Sequence, residues 1–290
     1  MNIPQLYIGT AGWSYKDWMP SFYPCSQSKE MSWLQYYARY FNVVEVNASY
    51  YTYINPRVVQ SWLRQIGDVD DFLFTVKLHQ DFTHKRTYTS EQTKAVQHNL
   101  NLLREEERLG GLLLQFPYSF DCTDANIDYL AGLIREFESY PKFVEVRHAS
   151  WQGKKAKSVT FCTIDQPQIG KSIEFAPIVG NDAAYIRFHG RNEEAWKKSI
   201  SNYGKKQTYE QQSERYKYLY SPGELAEIEQ KIKEVFDTVK KVFVIMNNHP
   251  GGDAVANAFE LMHLLKEKIK VKIPSTTLKA YPRLQQFVVN

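Results

Sequence analysis

Eight short runs rich in β-branched and aromatic residues recur along this chain, separated by longer stretches of helical character. They are Leu6 to Thr10, Val43 to Asn47, Phe72 to Lys77, Gly111 to Gln115, Phe143 to Arg147, Thr160 to Asp165, Ala184 to His189 and Val242 to Asn247. Helical segments are expected at Lys29 to Tyr40, Arg57 to Gln65, Glu91 to Glu107, Ala125 to Glu138, Pro222 to Val239 and Ala254 to Lys268, with Ser221, Pro222 and Glu224 in the pattern of a capped start. Strands that alternate with helices must lie parallel, because each crossover returns the chain to the same edge of the sheet. Eight such units in about 250 residues suit a closed TIM-type (β/α)8 barrel better than an open doubly wound sheet. With no repeat and no linker, residues 1–290 read as one barrel domain.

The pattern weakens in four places. Only Gln152 to Ser158 separate Trp151 from the sixth strand, so the helix after strand 5 is expected to be short or missing, and Asp165 to Ala184 has no helical period. The longest connection, Gly190 to Tyr220, is rich in Lys, Tyr, Gln and Ser and leaves the C-terminal end of the seventh strand, where lids are found. The tail from Lys272 to Asn290 holds two prolines and no clear element.

Side chains alternate faces along a strand, so residues two apart share one. One face is apolar throughout: Val44 and Val46, Phe74 and Val76, Leu112 and Leu114, Val144 and Val146, Cys162 and Ile164, Ile186 and Phe188, Val244 and Met246. The other carries Glu45 and Asn47, Thr75 and Lys77, Gln115, Glu145 and Arg147, Thr163 and Asp165, Arg187 and His189, and Asn247. Apolar residues should meet the helices, leaving the polar set to point inward at the catalytic end of the barrel. Glu45, Glu145 and Asp165 could balance Lys77, Arg147 and Arg187 as a buried network without chemistry. Such a network is costly to desolvate, which favours a functional reason for keeping it.

The rim adds rings and amides. Gly12-Trp13-Ser14-Tyr15 follows the first strand, Tyr50-Tyr51 the second and Trp151 the fifth, so Trp13, Tyr51 and Trp151 are candidates to stack a base or sugar. His84 lies past the third strand and Gln115-Phe116-Pro117 ends the fourth. Asn247-Asn248-His249-Pro250-Gly251-Gly252 precedes a helix whose N-terminus could receive an anion. Glu45, Glu145, Asp165 and His189 could ligate a divalent metal if they converge, although no HExxH-like spacing occurs. There is no GxSxG elbow, GxGxxG or Walker sequence.

Composition narrows the class. The 36 basic and 32 acidic residues give a net charge of +4, enough to tolerate an anionic ligand but not a strong nucleic-acid footprint. Cys25, Cys122 and Cys162 are widely spaced, which suits reduced thiols rather than disulfides or a zinc site. Met1-Asn2-Ile3-Pro4 runs straight into a strand-like segment, and no apolar run reaches the roughly 20 residues of a bilayer span. A cytoplasmic protein with no membrane partner is expected.

At these residues the chain resembles the YecE-like TIM-barrel family known as domain of unknown function 72. The likeness rests on Gly9 to Tyr15, Val44-Glu45-Val46-Asn47 with Tyr50-Tyr51, Lys77 with Thr83-His84, Gln115-Phe116-Pro117, Glu145-Val146-Arg147 with Ser150-Trp151, Arg187 to Arg191, and Asn247-Asn248 with Ala256-Asn257-Ala258. It implies a barrel and brings no settled reaction; members usually have a helix before the sixth strand, where this chain has only Gln152 to Ser158. In outline the barrel is also similar to the endonuclease-IV and xylose-isomerase group, whose mouths hold divalent metals.

The leading expectation is an enzyme acting on a phosphorylated or nucleic-acid-derived ligand, with phosphoester hydrolysis, metal-assisted or not, as its first reaction. Glu45, Glu145 and His189 would be catalytic. Trp13, Asn47, Tyr51, Lys77, His84, Gln115, Arg147, Trp151, Arg187 and Asn247 would bind the ligand. The alternatives are a noncatalytic metabolite or nucleic-acid binding protein, and a sugar or sugar-phosphate isomerase.

Overall fold

The structure is a computed structural model that describes residues 4–25, 31–202, 205 and 207–289. All eight expected runs are strands: β1 (Gln5–Ala11), β2 (Val43–Val46), β3 (Leu73–Lys77), β4 (Leu109–Gln115), β5 (Lys142–Glu145), β6 (Thr160–Phe161) with β7 (Thr163–Asp165), β8 (Ala183–Phe188) and β9 (Lys241–Met246). They form one parallel sheet in the order β6-β5-β4-β3-β2-β1-β9-β8-β7. The two ends of that order are halves of one strand interrupted at Cys162. β6 pairs with β5 and β7 with β8, so the sheet returns on itself as a TIM-like barrel.

The surrounding helices are α1 (Trp33–Tyr37), α2 (Pro56–Gln65), α3 (Ser90–Glu105), α4 (Asp124–Glu136), α5 (Glu193–Ser201), α6 (Tyr209–Ser213), α7 (Pro222–Lys233), α8 (Asp253–Leu265) and α9 (Ser275–Ala280). Their starts follow from local chemistry. Thr89 with Gln92 and Ser221 with Glu224 close reciprocal capping boxes, each cap worth about 1 kcal/mol. Asn55 caps α2, whose first residue is Pro56. Helix α8 is buried almost all round, and its polar residues are matched there: Asn257 by Asn248, Glu260 by Arg283, His263 by the Ile269 carbonyl. Among the described residues no helix is long and apolar enough to cross a membrane.

Several expectations need correction. The first helix is five residues rather than a run from Lys29, which itself lies outside the described residues, as do residues 1–3 of the expected leaderless start. The tail is not featureless: it holds α9 and a 3-10 turn at Pro282–Phe287. The long connection from Gly190 contains α5 and α6.

After β5 there is only a 3-10 turn at Ala149–Trp151, and 166–182 between β7 and β8 hold no helix. This gap explains the largest correction. In a parallel pair, residues in register share a face; Thr163 lies beside Ile186 and Asp165 beside Phe188, whereas Ile164 lies beside Arg187. Thr163 and Asp165 therefore point outward, and Cys162 and Ile164 point into the barrel. Without a helix outside β7, the irregular segment there needs polar partners for its backbone. The Thr163 hydroxyl accepts from Ile178 N at 2.9 Å and donates to Ala176 O at 3.3 Å.

Candidate functional site

The barrel is sealed from below by rings. Tyr7 stacks on Phe243 at 4.9 Å and Phe143 on Tyr185 at 4.1 Å, and the polar residues stand above them. On that floor stands a buried ion network. Arg187 donates through Nε and Nη2 to Glu45, at 2.9 and 2.6 Å, and through Nη1 to Glu145. Tyr185 donates to Glu45 at 2.8 Å. Arg147 covers the last carboxylate oxygen from Nε and Nη2, at 3.0 and 2.6 Å. All four oxygens of Glu45 and Glu145 are thus engaged. Burial alone would raise the Glu145 pKa, but Arg187 and Arg147 hold it well below the usual carboxylate range.

Two carboxylates and two guanidiniums cancel, so Lys77 is left over. Among the described residues its ammonium has no ion pair or hydrogen bond, and its neighbour is the face of Tyr50, 4.2 Å away. Burial, and next the Arg187 guanidinium, push its pKa down to about 7 against the pull of Glu45 and Glu145. His84 meets the same Tyr50 ring edge-on at 5.0 Å and is pushed down to about 4 by burial and then by Lys77. Asn47 and Asn247 stand side by side, with 3.5 Å between Asn47 Nδ2 and Asn247 Oδ1. Asn247 Nδ2 lies 2.9 Å from His189 Nδ1, and His189 Nε2 lies 3.3 Å from Arg147 Nη2 and 3.4 Å from Glu145. Gln115 is buried, its amide given to the Phe116 carbonyl.

The connection from Gly190 to Tyr220 forms a roof. Arg147 lies over Trp196 of α5 at 5.4 Å, and Arg215 sits between Trp196 and Tyr216, at 5.2 and 4.8 Å. Tyr216 faces His249 at 5.9 Å, and His249 stacks on Tyr15 at 4.5 Å. Both ends of the roof are tied to one point outside the barrel: Asp165 accepts from Arg191 and from the Tyr220 hydroxyl, which in turn accepts from Gly190 N. Asn257 holds the Tyr220 backbone. Trp196, Arg215, Tyr216, Tyr15 and His249 are thus site residues that reading strand ends missed; the Tyr- and Lys-rich composition of the connection was the available signal. Among the described residues, the buried atoms Asn47 Oδ1, His249 Nδ1, Trp196 Nε1 and Arg215 Nε have no hydrogen-bond partner.

Of the residues expected here, the structure brings Asn47, Lys77, His84, Gln115, Arg147, His189 and Asn247 together, with Tyr51 on the exposed rim. Arg187 is present but spent on its carboxylates. Trp151 is buried elsewhere, stacked on Phe120 with its N–H on the Phe120 carbonyl, because the missing helix after β5 leaves a gap that its ring fills. Trp13 packs edge-on against Trp62 of α2. The glycines before α8 receive the chain's own anion: Gly251 N donates to Asp17 at 2.8 Å. The four metal candidates do not converge, since Arg187 separates Glu45 from Glu145 and Asp165 points outward. Among the described residues no three His, Cys, Asp or Glu side chains form a metal-binding group.

His189 gives the site a pH signature. Burial pushes its pKa down to about 3 despite Glu145. The unfolded chain protonates this residue below about 6.5 and the folded one does not. Stability is therefore full above that pH and falls as pH drops, by up to about 1.4 kcal/mol per unit for this group. Urea midpoints between pH 6.5 and 5 should fall less steeply in His189→Asn than in the parent; parallel slopes would show that His189 is not held neutral.

A family model described as protein of unknown function DUF72 matches residues 7–282. The UPF0759 protein YunF of Bacillus subtilis (strain 168) is 30% identical over 278 residues, 90% of this chain and 94% of its own. The UPF0759 protein YecE of Escherichia coli (strain K12) is 29% identical over 157 residues, 53% of either chain. Among solved structures, a DUF72 family protein of Thermotoga maritima MSB8 matches with a TM-score of 0.73 and 31% identity, over 90% of this chain and 99% of that one.

Proposed function

The chain belongs to the DUF72 family, and from that membership, which brings a fold but no named reaction, we propose that its mouth binds a small anionic ligand bearing a ring, phosphorylated or nucleic-acid-derived. The observation that carries this reading is Lys77, the cation left over once Glu45 and Glu145 are matched by Arg187 and Arg147. An anion beside it would restore neutrality in a site with rings below and above. Arg215, held between two rings of the roof, is a second donor, and Tyr50, Tyr216 and Trp196 offer faces for stacking.

The hydrolase form of the reading uses Glu45 and Glu145 as base, acid or metal ligand, and the isomerase form uses one of them to move a proton. Either needs a carboxylate oxygen that is free. The engagement of all four favours binding as the primary activity.

Thermal unfolding with 5′-mononucleotides, sugar phosphates and inorganic phosphate tests this. A ligand at about 100 times its Kd adds about 2.7 kcal/mol, a rise of several degrees in Tm. The rise should vanish in Lys77→Gln, shrink in Arg215→Gln and weaken with salt. A rise unchanged in Lys77→Gln, or none across the panel, would overturn the reading. Phosphate release in the same samples separates hydrolysis from binding.

A further inference from the structure

We propose that Lys77 is a reactive amine that forms an imine with the aldehyde or ketone carbon of an anionic ligand held at the mouth; for its ligand this rests on the anion-site reading above. Lys142 is buried at the other end of the barrel, and its three ammonium protons are given to the carbonyls of Phe137, Glu138 and Tyr140 at 3.0, 3.2 and 2.8 Å. That is a lysine used as structure, its lone pair unavailable. Lys77 stands at the C-terminal end of β3 with no hydrogen-bond acceptor among the described residues and only the Tyr50 face beside it.

The charged groups around Lys77 are accounted for. Burial and then Arg187 disfavour its ammonium form, Glu45 and Glu145 favour it, and Arg147 adds the smallest disfavouring contribution. An amine that titrates near neutrality has about half its molecules as free base at pH 7, against fewer than about one in a thousand for an ordinary lysine. His84, beside the same Tyr50 ring, is uncharged at that pH, its Nδ1 2.9 Å from the Thr83 hydroxyl.

In the proposed step the Lys77 nitrogen attacks the carbonyl carbon, a C–N bond forms, and the proton lost by nitrogen goes to the carbonyl oxygen. The carbinolamine hydroxyl takes up a proton from solvent, and the nitrogen lone pair expels it as water. Amine, carbonyl and one proton give protonated imine and water, with no oxidation. The protonated imine keeps a positive charge where the ammonium stood, next to the anionic group of the ligand.

The experiment is limited reductive alkylation of the whole protein at pH 7, with peptides read by mass spectrometry. Formaldehyde with cyanoborohydride is a neutral probe of the amine alone. Lys77 should be labelled at least tenfold faster than exposed lysines such as Lys85 and Lys240, with a rate midpoint near pH 7, and Lys142 should stay unlabelled. Labelling of Lys77 no faster than of the exposed lysines overturns the proposal. Pyridoxal 5′-phosphate and pyridoxal, each followed by borohydride, separate the two readings. A preference of Lys77 for the phosphorylated aldehyde supports both. Equal labelling by the two, with Lys77 still fastest, keeps the reactive amine and removes the anion site.

Discussion

Arg187→Met is expected to cost about 3–5 kcal/mol of folding stability, since it removes one partner of a buried ion network and leaves the rest in place. The arginine is 1% exposed and both carboxylates are fully buried. Arg147 can still serve Glu145, but Glu45 would keep only the Tyr185 hydroxyl. Proteins of this kind are typically stable by about 5–15 kcal/mol, so the loss would bring the barrel near its threshold. Urea unfolding should show a lower midpoint with an unchanged slope. If uncompensated charge is the cause, adding Glu45→Gln to Arg187→Met should return part of the loss. A variant within about 1 kcal/mol of the parent would show that the network is not coupled as its geometry implies.

Lys77→Met should do the opposite, raising stability while removing anion binding. The folded pKa of Lys77 is pushed down to about 7, whereas the unfolded chain keeps its lysine charged to about 10.4. Between those values the unfolded state binds more protons, so this group makes stability rise with pH; at pH 7 it is a net cost. With contact to solvent and local relaxation, the gain on replacement should be about 1–2 kcal/mol. The parent should also gain stability relative to the variant as pH is raised from 7 to 10. A lysine kept for packing would give a loss on replacement instead, through the aliphatic stem. Stability gained and affinity lost by one substitution is the signature of a residue retained for its site.

Legibility differed from strand to strand for a physical reason. On β2, β3, β5, β8 and β9 the period-2 pattern sorts faces correctly, because the packing outside those strands demands apolar neighbours and leaves polar residues only the interior. On β7 the same rule placed Thr163 and Asp165 inside, and the structure places them outside. The rule presumes a helix on the outer face, and the connection over β7 has none. Trp151 was misplaced for the same reason: a ring near the mouth in sequence filled the space left by a missing helix. Asp165 acts at a distance as an anchor for the roof, through Arg191 and Tyr220, 26 and 55 residues further along.

The sequence by itself determined the alternation of strand and helix, the parity that groups Glu45 with Asn47, Glu145 with Arg147 and Arg187 with His189, and the family. Those properties are local: they depend on backbone period and on residues a few positions apart. Only the tertiary structure decided how the charges pair. Glu45 and Arg187 are 142 residues apart and Glu145 and Arg187 are 42 apart, and closure of the barrel brings all three to one point. The six charges that sum to zero along the chain do not cancel where they lie, because Asp165 faces outward. That leaves Lys77 as the unmatched cation at the mouth, beneath a roof whose residues no strand pattern could have assigned to it.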